Sequence, residues 1–149
     1  MSKGFTLVET LIVLAIIGIL AAIVVPQFQS NTTEAKEAAA RDNLRILRSA
    51  IEIYASQHKD VAPGYPNNNS SGTPQHIYFL LQLKGTYLNA LPKNPFNGKL
   101  TVKMIKNTET FPNQPVESFL YGWIYQPATK TIRLNWEGKD SAGINFFDY

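Results

Sequence analysis

The chain contains no cysteine. No disulfide can staple it, and no thiolate can hold a metal. Histidine is scarce, with 2 in 149 residues. His58 and His76 stand apart, each at a loop or helix end where solvent exposure is expected, and no Ser/His/Asp pattern can be assembled around them. A glycine-rich phosphate loop is missing as well. The formal net charge, +3, is too mild to argue for nucleic acid as a partner. These absences speak against an enzyme and against a resident cofactor.

One thing is abundant at the start of the chain. Residues 11–25 carry no charge, and extended back to Phe5 the apolar run reaches about the 20 residues a helix needs to cross a bilayer. Lys3 is the only charged side chain before it, which places the N-terminus on the cytoplasmic side. Glu9 lies near the start of the run. A carboxylate at the membrane centre costs about 2.5–3.5 kcal/mol, less near an end, so Glu9 is a functional candidate that needs a positive partner. A secretory signal peptide would have a shorter run and a small-residue cleavage site. Ala21 and Ala22 could be cut, but the helical pattern continues past them. A plain anchor would explain the hydrophobicity and leave Gly4-Phe5 with Glu9 unexplained.

The stretch K-G-F-T-L-V-E at 3–9, followed at once by the apolar run, resembles the class III signal of type IV pilins and type II secretion pseudopilins. The resemblance implies that a prepilin peptidase cuts between Gly4 and Phe5 and N-methylates Phe5. It implies that Glu9 pairs with the N-terminal amine of Phe5 on a neighbouring subunit, so that Phe5 and Glu9 set the register of assembly. Domain bounds follow: a leader at 1–4, a membrane-spanning and filament-core helix at 5–28, and a periplasmic or extracellular head at 29–149. Many type IVa pilins close a C-terminal loop with a disulfide, which this chain cannot do.

Residues 5–58 read as one long helix in two halves. The first is apolar all round. Gly18 and Pro26 interrupt its pattern, the one by backbone freedom and the other by loss of a donor. Pilins carry glycine and proline at matching places, which implies that this stretch loses helical regularity in the filament. The second half is amphipathic, with Ala40, Leu44, Leu47, Ile51 and Tyr54 at three- and four-residue steps. Ile46 and Ile53 are expected to widen that stripe. Glu37 with Arg41, and Arg48 with Glu52, are expected as i,i+4 pairs on the wet side.

Residues 61–75 are dominated by proline, glycine, asparagine and serine, which excludes helix and strand. Residues 76–88 suggest a short helix. The segment L-P-K-N-P-F-N-G at 91–98 resembles the L-P-x-D-P-W-G-N segment of the major pseudopilin. Residues 99–106, 119–126 and 131–136 read as strands, the last two joined by a turn at 127–130. The expected fold is α+β and pilin-like: a long N-terminal helix packed on a small, three-stranded antiparallel sheet.

The C-terminal stretch G-K-D-S-A-G-I-N-F-F-D-Y opens like the calcium loop of major pseudopilins and lacks its acidic extension. Asp140, Asn145 and Asp148 are the candidate ligands, yet they supply only part of the six to eight oxygens calcium takes. The competing expectation is a tail whose Phe146, Phe147 and Tyr149 pack on the sheet.

The function expected from the resemblance is structural. The chain would be a subunit of a type II secretion pseudopilus, a homo-oligomeric filament anchored in the inner membrane that drives protein secretion. Its partners would be the prepilin peptidase, an inner-membrane assembly platform and minor pilins or pseudopilins. The alternatives are a type IV pilus subunit serving adhesion, motility or DNA uptake, and a monomeric membrane-anchored ligand-binding module.

Overall fold

The computed structural model describes Gly4 and residues 6–149, with the backbone alone over residues 25–31. It divides into two compact units, Met1–Ala35 and Lys36–Tyr149. One helix, α1 (Leu7–Gln57), contributes to both.

In the first unit α1 runs without interruption through Gly18 and Pro26. Phe5 lies outside the described residues.

In the second unit the expected stripe is the core face of α1. Ala40, Leu44, Leu47, Ile51 and Tyr54 are all buried, and Ala50 and Ala55 with them. Ile46 and Ile53 do not widen the stripe; they are 38% and 50% exposed. Each precedes a stripe residue by one position, which turns its side chain about 100° away from the core. The two expected i,i+4 pairs give way to tertiary contacts. Glu37 is buried and accepts from the Ser141 backbone N–H (3.1 Å) and hydroxyl (2.9 Å). Arg41 reaches Asp140 and Tyr149, Arg48 reaches the backbone oxygens of Ile132 and Tyr149, and Glu52 pairs with Lys130.

Three short strands form the sheet: β1 (Val102–Met104), β2 (Trp123–Gln126) and β3 (Thr131–Leu134), in the order β1-β2-β3. β2 and β3 form the expected antiparallel hairpin, with Trp123 opposite Leu134 and Gln126 opposite Thr131. Its turn closes at Lys130, which adopts a left-handed conformation. β1, however, runs parallel to β2, with Val102 opposite Trp123, so the sheet is mixed and not antiparallel throughout. The intervening residues 105–122 explain this. Parallel pairing needs a crossover of a dozen or more residues, and this connection is long enough to return the chain to the end of the sheet from which β1 started.

The strands are also shorter than expected. Phe119 and Leu120 belong to a turn in which the backbone N–H groups of Leu120 and Tyr121 both donate to the Glu117 carbonyl. Phe119 is consequently 70% exposed. Four residues of β2 are buried in succession, because α1 covers one face of the sheet and the C-terminal segment and the 105–122 crossover cover the other. The helix α2 (His76–Leu83) adds Phe79 and Leu83 to the core. The loop at 61–75 contains one 3-10 turn, at Pro66–Asn68. Neither histidine is fully exposed: His58 stacks on Tyr54 with ring centroids 4.0 Å apart, and His76 is half-buried, its burial pushing the imidazole pKa down.

The segment 91–98 is a clamp on β2. The buried Asn94 side chain donates to the Gly122 carbonyl at 2.9 Å and accepts from the Phe96 N–H at 2.9 Å. Trp123 Nε1 donates to the Pro92 carbonyl at 3.0 Å. A Cβ at Gly122 would lie 2.3 Å from the Lys99 carbonyl oxygen, so only glycine lets the two backbones approach this closely.

Candidate functional site

The first unit presents two features: a polar cap at the mouth of α1, and an apolar surface along it. Thr6 precedes the helix and Glu9 is its third residue. The Glu9 Oε2 atom accepts from the Thr6 backbone N–H and from the Thr6 hydroxyl, each at 2.8 Å, while the Glu9 N–H donates to Thr6 Oγ1 at 3.2 Å. This is a reciprocal capping box, which satisfies N–H groups that a helix start otherwise leaves unpaired. The positive end of the helix dipole further favours a carboxylate there. Glu9 is therefore held in a defined place by its own chain. The T-x-x-E spacing of Thr6 and Glu9 is the sequence signature of this box.

Behind the cap, Leu7–Val24 forms an 18-residue span of mean hydropathy 2.8, none of it buried within the chain. Leu7 is 80% exposed, and Ile19 and Ile23 are each 65% exposed. Apolar patches of this extent mark a surface that lipid or another protein covers. Gly18 lies inside the span, and a Cβ added there would meet nothing within 4 Å. Packing inside the chain does not require this glycine.

The C-terminal candidates lie on the second unit. Asp140 Oδ1 accepts the backbone N–H groups of Ala142 (2.9 Å) and Ile144 (2.8 Å). Its Oδ2 accepts the Tyr149 hydroxyl at 2.7 Å and pairs with Arg41. The Tyr149 hydroxyl, followed by the two N–H groups and Arg41, holds the Asp140 carboxyl below its ordinary range. Burial, aided by the bond to Asp140, pushes Tyr149 up to about 12. Asp148 pairs with Arg133 at 3.2 Å and accepts from Asn145 Nδ2 at 2.8 Å.

These residues do not fit a calcium ion. Four donors take up the Asp140 acceptor positions, and a cation bound there would meet the Arg41 guanidinium. Among the described residues no group of three His, Cys, Asp or Glu is gathered to hold a metal. The aromatic residues of the tail do pack on the core: Phe146 and Phe147 are buried in separate apolar clusters, and Tyr149 packs against the one that holds Phe146.

Residues 1–25 match the prokaryotic N-terminal methylation motif. The chain is 34% identical over 104 residues to the fimbrial protein of Neisseria meningitidis, a match that covers 70% of this chain and 56% of that protein. It is 32% identical over 103 residues to type II secretion system core protein G of Pseudomonas aeruginosa, covering 63% of this chain and 68% of that protein. The chain spans about half the length of the fimbrial proteins it matches. No solved structure matches it.

Proposed function

The chain belongs to the family of type IV pilins and type II secretion pseudopilins, and from that premise we propose that it is a structural subunit of a filament anchored in the inner membrane, the pseudopilus of a type II secretion system. The observation that carries this reading is the uncovered Leu7–Val24 surface, headed by a carboxylate held at a fixed position. Before assembly the bilayer covers that surface. In the filament the same surface of neighbouring copies replaces the lipid.

Glu9 supplies the register. The prepilin peptidase cuts after Gly4, and the amine of Phe5 becomes the cation that Glu9 of a neighbouring subunit requires. An unpaired charge in that apolar setting costs several kcal/mol, so subunits that are out of register are disfavoured. An inner-membrane assembly platform and minor pseudopilins complete the machinery. The pseudopilus is favoured within the family by the match that spans 68% of core protein G and by the absence of cysteine. The match to the fimbrial protein over 70% of this chain supports the second reading, a type IV pilus subunit.

The test is made in the native host. Protein isolated from membranes should lack residues 1–4 and carry one methyl on Phe5 by intact mass. Glu9→Ala should be processed in the same way and yield no filaments; normal filaments from that variant overturn the role of Glu9. Deleting the gene separates the two readings, since loss of secreted proteins points to a pseudopilus and loss of surface fibres to a pilus.

A further inference from the structure

A cavity of about 230 Å³ opens on the head beside Trp136. Asn113, Gln114, Glu137, Asn145 and Asp148 are among the residues that line it. Trp136 is fixed in place: it stacks on Phe96 with centroids 5.8 Å apart and ring planes 15° from parallel. Asp148 is neutralised by Arg133 and tied to Asn145. Asn113, Gln114 and Glu137 are exposed, and among the described residues they make no side-chain hydrogen bond. Nor does the Trp136 indole N–H, whereas that of Trp123 is bound to Pro92. The cavity therefore combines an immobilised aromatic ring with several unspent polar groups. Neither the filament core nor the register device uses any of them.

We propose that this cavity binds one neutral pyranose ring, as the terminal unit of a glycan. The size is suitable, since a cavity of about 150 Å³ holds benzene and this one is larger. The chemistry discriminates further. A sugar offers one face of C–H groups, which suits the electron-rich face of an indole. It also offers hydroxyls that both donate and accept. Amide side chains do the same, and Asn113 and Gln114 bring two of them. A cationic side chain could also rest on Trp136 beside Glu137, but it has nothing to accept from amide N–H groups or from the indole N–H. The charge on Glu137 disfavours acidic sugars. This inference concerns the head alone and holds for either kind of filament.

The test uses the full chain in micelles of a zwitterionic, sugar-free detergent and follows the two indole N–H resonances by NMR. The probes are the methyl glycosides of glucose, galactose, mannose, N-acetylglucosamine and N-acetylgalactosamine. At least one should shift Trp136 saturably, with a Kd of about 1 mM, the scale expected of a single-ring ligand. Trp123, which is buried, should not move and reports that the fold is intact. Glu137→Gln keeps the indole and should weaken binding about tenfold. If no glycoside moves Trp136, or if Glu137→Gln binds as tightly as the parent chain, the proposal fails. A shift caused by a lysine tetrapeptide and by none of the glycosides would also overturn it and assign the cavity to cationic peptides.

Discussion

Asp140 joins parts of the chain that are distant in sequence: Arg41 on α1, Tyr149 in the tail, and the backbone of the loop between them. Its protonation is thereby linked to the stability of the head. The carboxyl is held below its ordinary value of 3.8, so the folded state favours the charged form. The stabilisation is present above the unfolded value and is lost as pH falls through the lower, folded value. Asp140→Asn should lower the melting temperature at neutral pH, and the gap from the parent chain should close as the pH is taken well below 3.8. A gap that stayed constant with pH would show that the ionised carboxylate contributes nothing. The same geometry implies that calcium leaves the melting temperature unchanged.

Residues of this kind were the least legible in the sequence. Asn94 and Asn135 are both fully buried, yet an asparagine in a turn or after a strand looks like a surface residue. What buries Asn135 is its amide pairing with Val116, whose N–H donates to it at 2.9 Å and whose carbonyl accepts from it at 2.8 Å. A hydrogen bond between positions 116 and 135 leaves no periodic trace. Thr6 and Glu9 are the opposite case, because a cap is local and its spacing can be read directly.

Among the elements, α1 was the most legible because both of its halves are periodic or uniformly apolar. Ala40, Leu44, Leu47, Ile51 and Tyr54 of the core stripe follow from the periodicity, whereas its width does not: Ala50 and Ala55 join it, and Ile46 and Ile53 face away. The parallel pairing of β1 was not legible, because strand order and direction depend on the path of a connection whose sequence carries no strong signal. Gly18 lies between these cases. It stands out as a helix breaker, yet α1 passes through it, and a Cβ there meets nothing within its own chain. The proposed filament would give it a use, since a small residue lets neighbouring helices approach closely. Gly18→Ala should stabilise α1 in the free subunit by about 1 kcal/mol and leave processing unchanged, while filament yield falls several-fold. Full filament yield from that variant would leave the glycine without a role in assembly.

At the scale of the whole molecule, the two units divide the work. Among the described residues, every buried apolar side chain lies in Lys36–Tyr149. The candidate membrane span lies in the other unit, with none of its residues buried. Among the described residues, the first unit holds no buried apolar side chain. On the proposed reading, lipid covers its apolar surface before assembly and other copies cover it afterwards. A chain beginning at Lys36 should fold cooperatively without detergent, sediment as a monomer and give the near-ultraviolet dichroism of a packed Trp123. Its melting temperature should lie within a few degrees of that of the head in the full chain, since the described buried core lies wholly within Lys36–Tyr149. The full chain, by contrast, should require detergent or membrane to stay dispersed. If the shortened chain is unfolded, α1 residues before Lys36 contribute to the head, and the division between anchor and head falls nearer the N-terminus. If it is folded and still polymerises, the heads alone drive assembly, and the apolar helix serves only as an anchor.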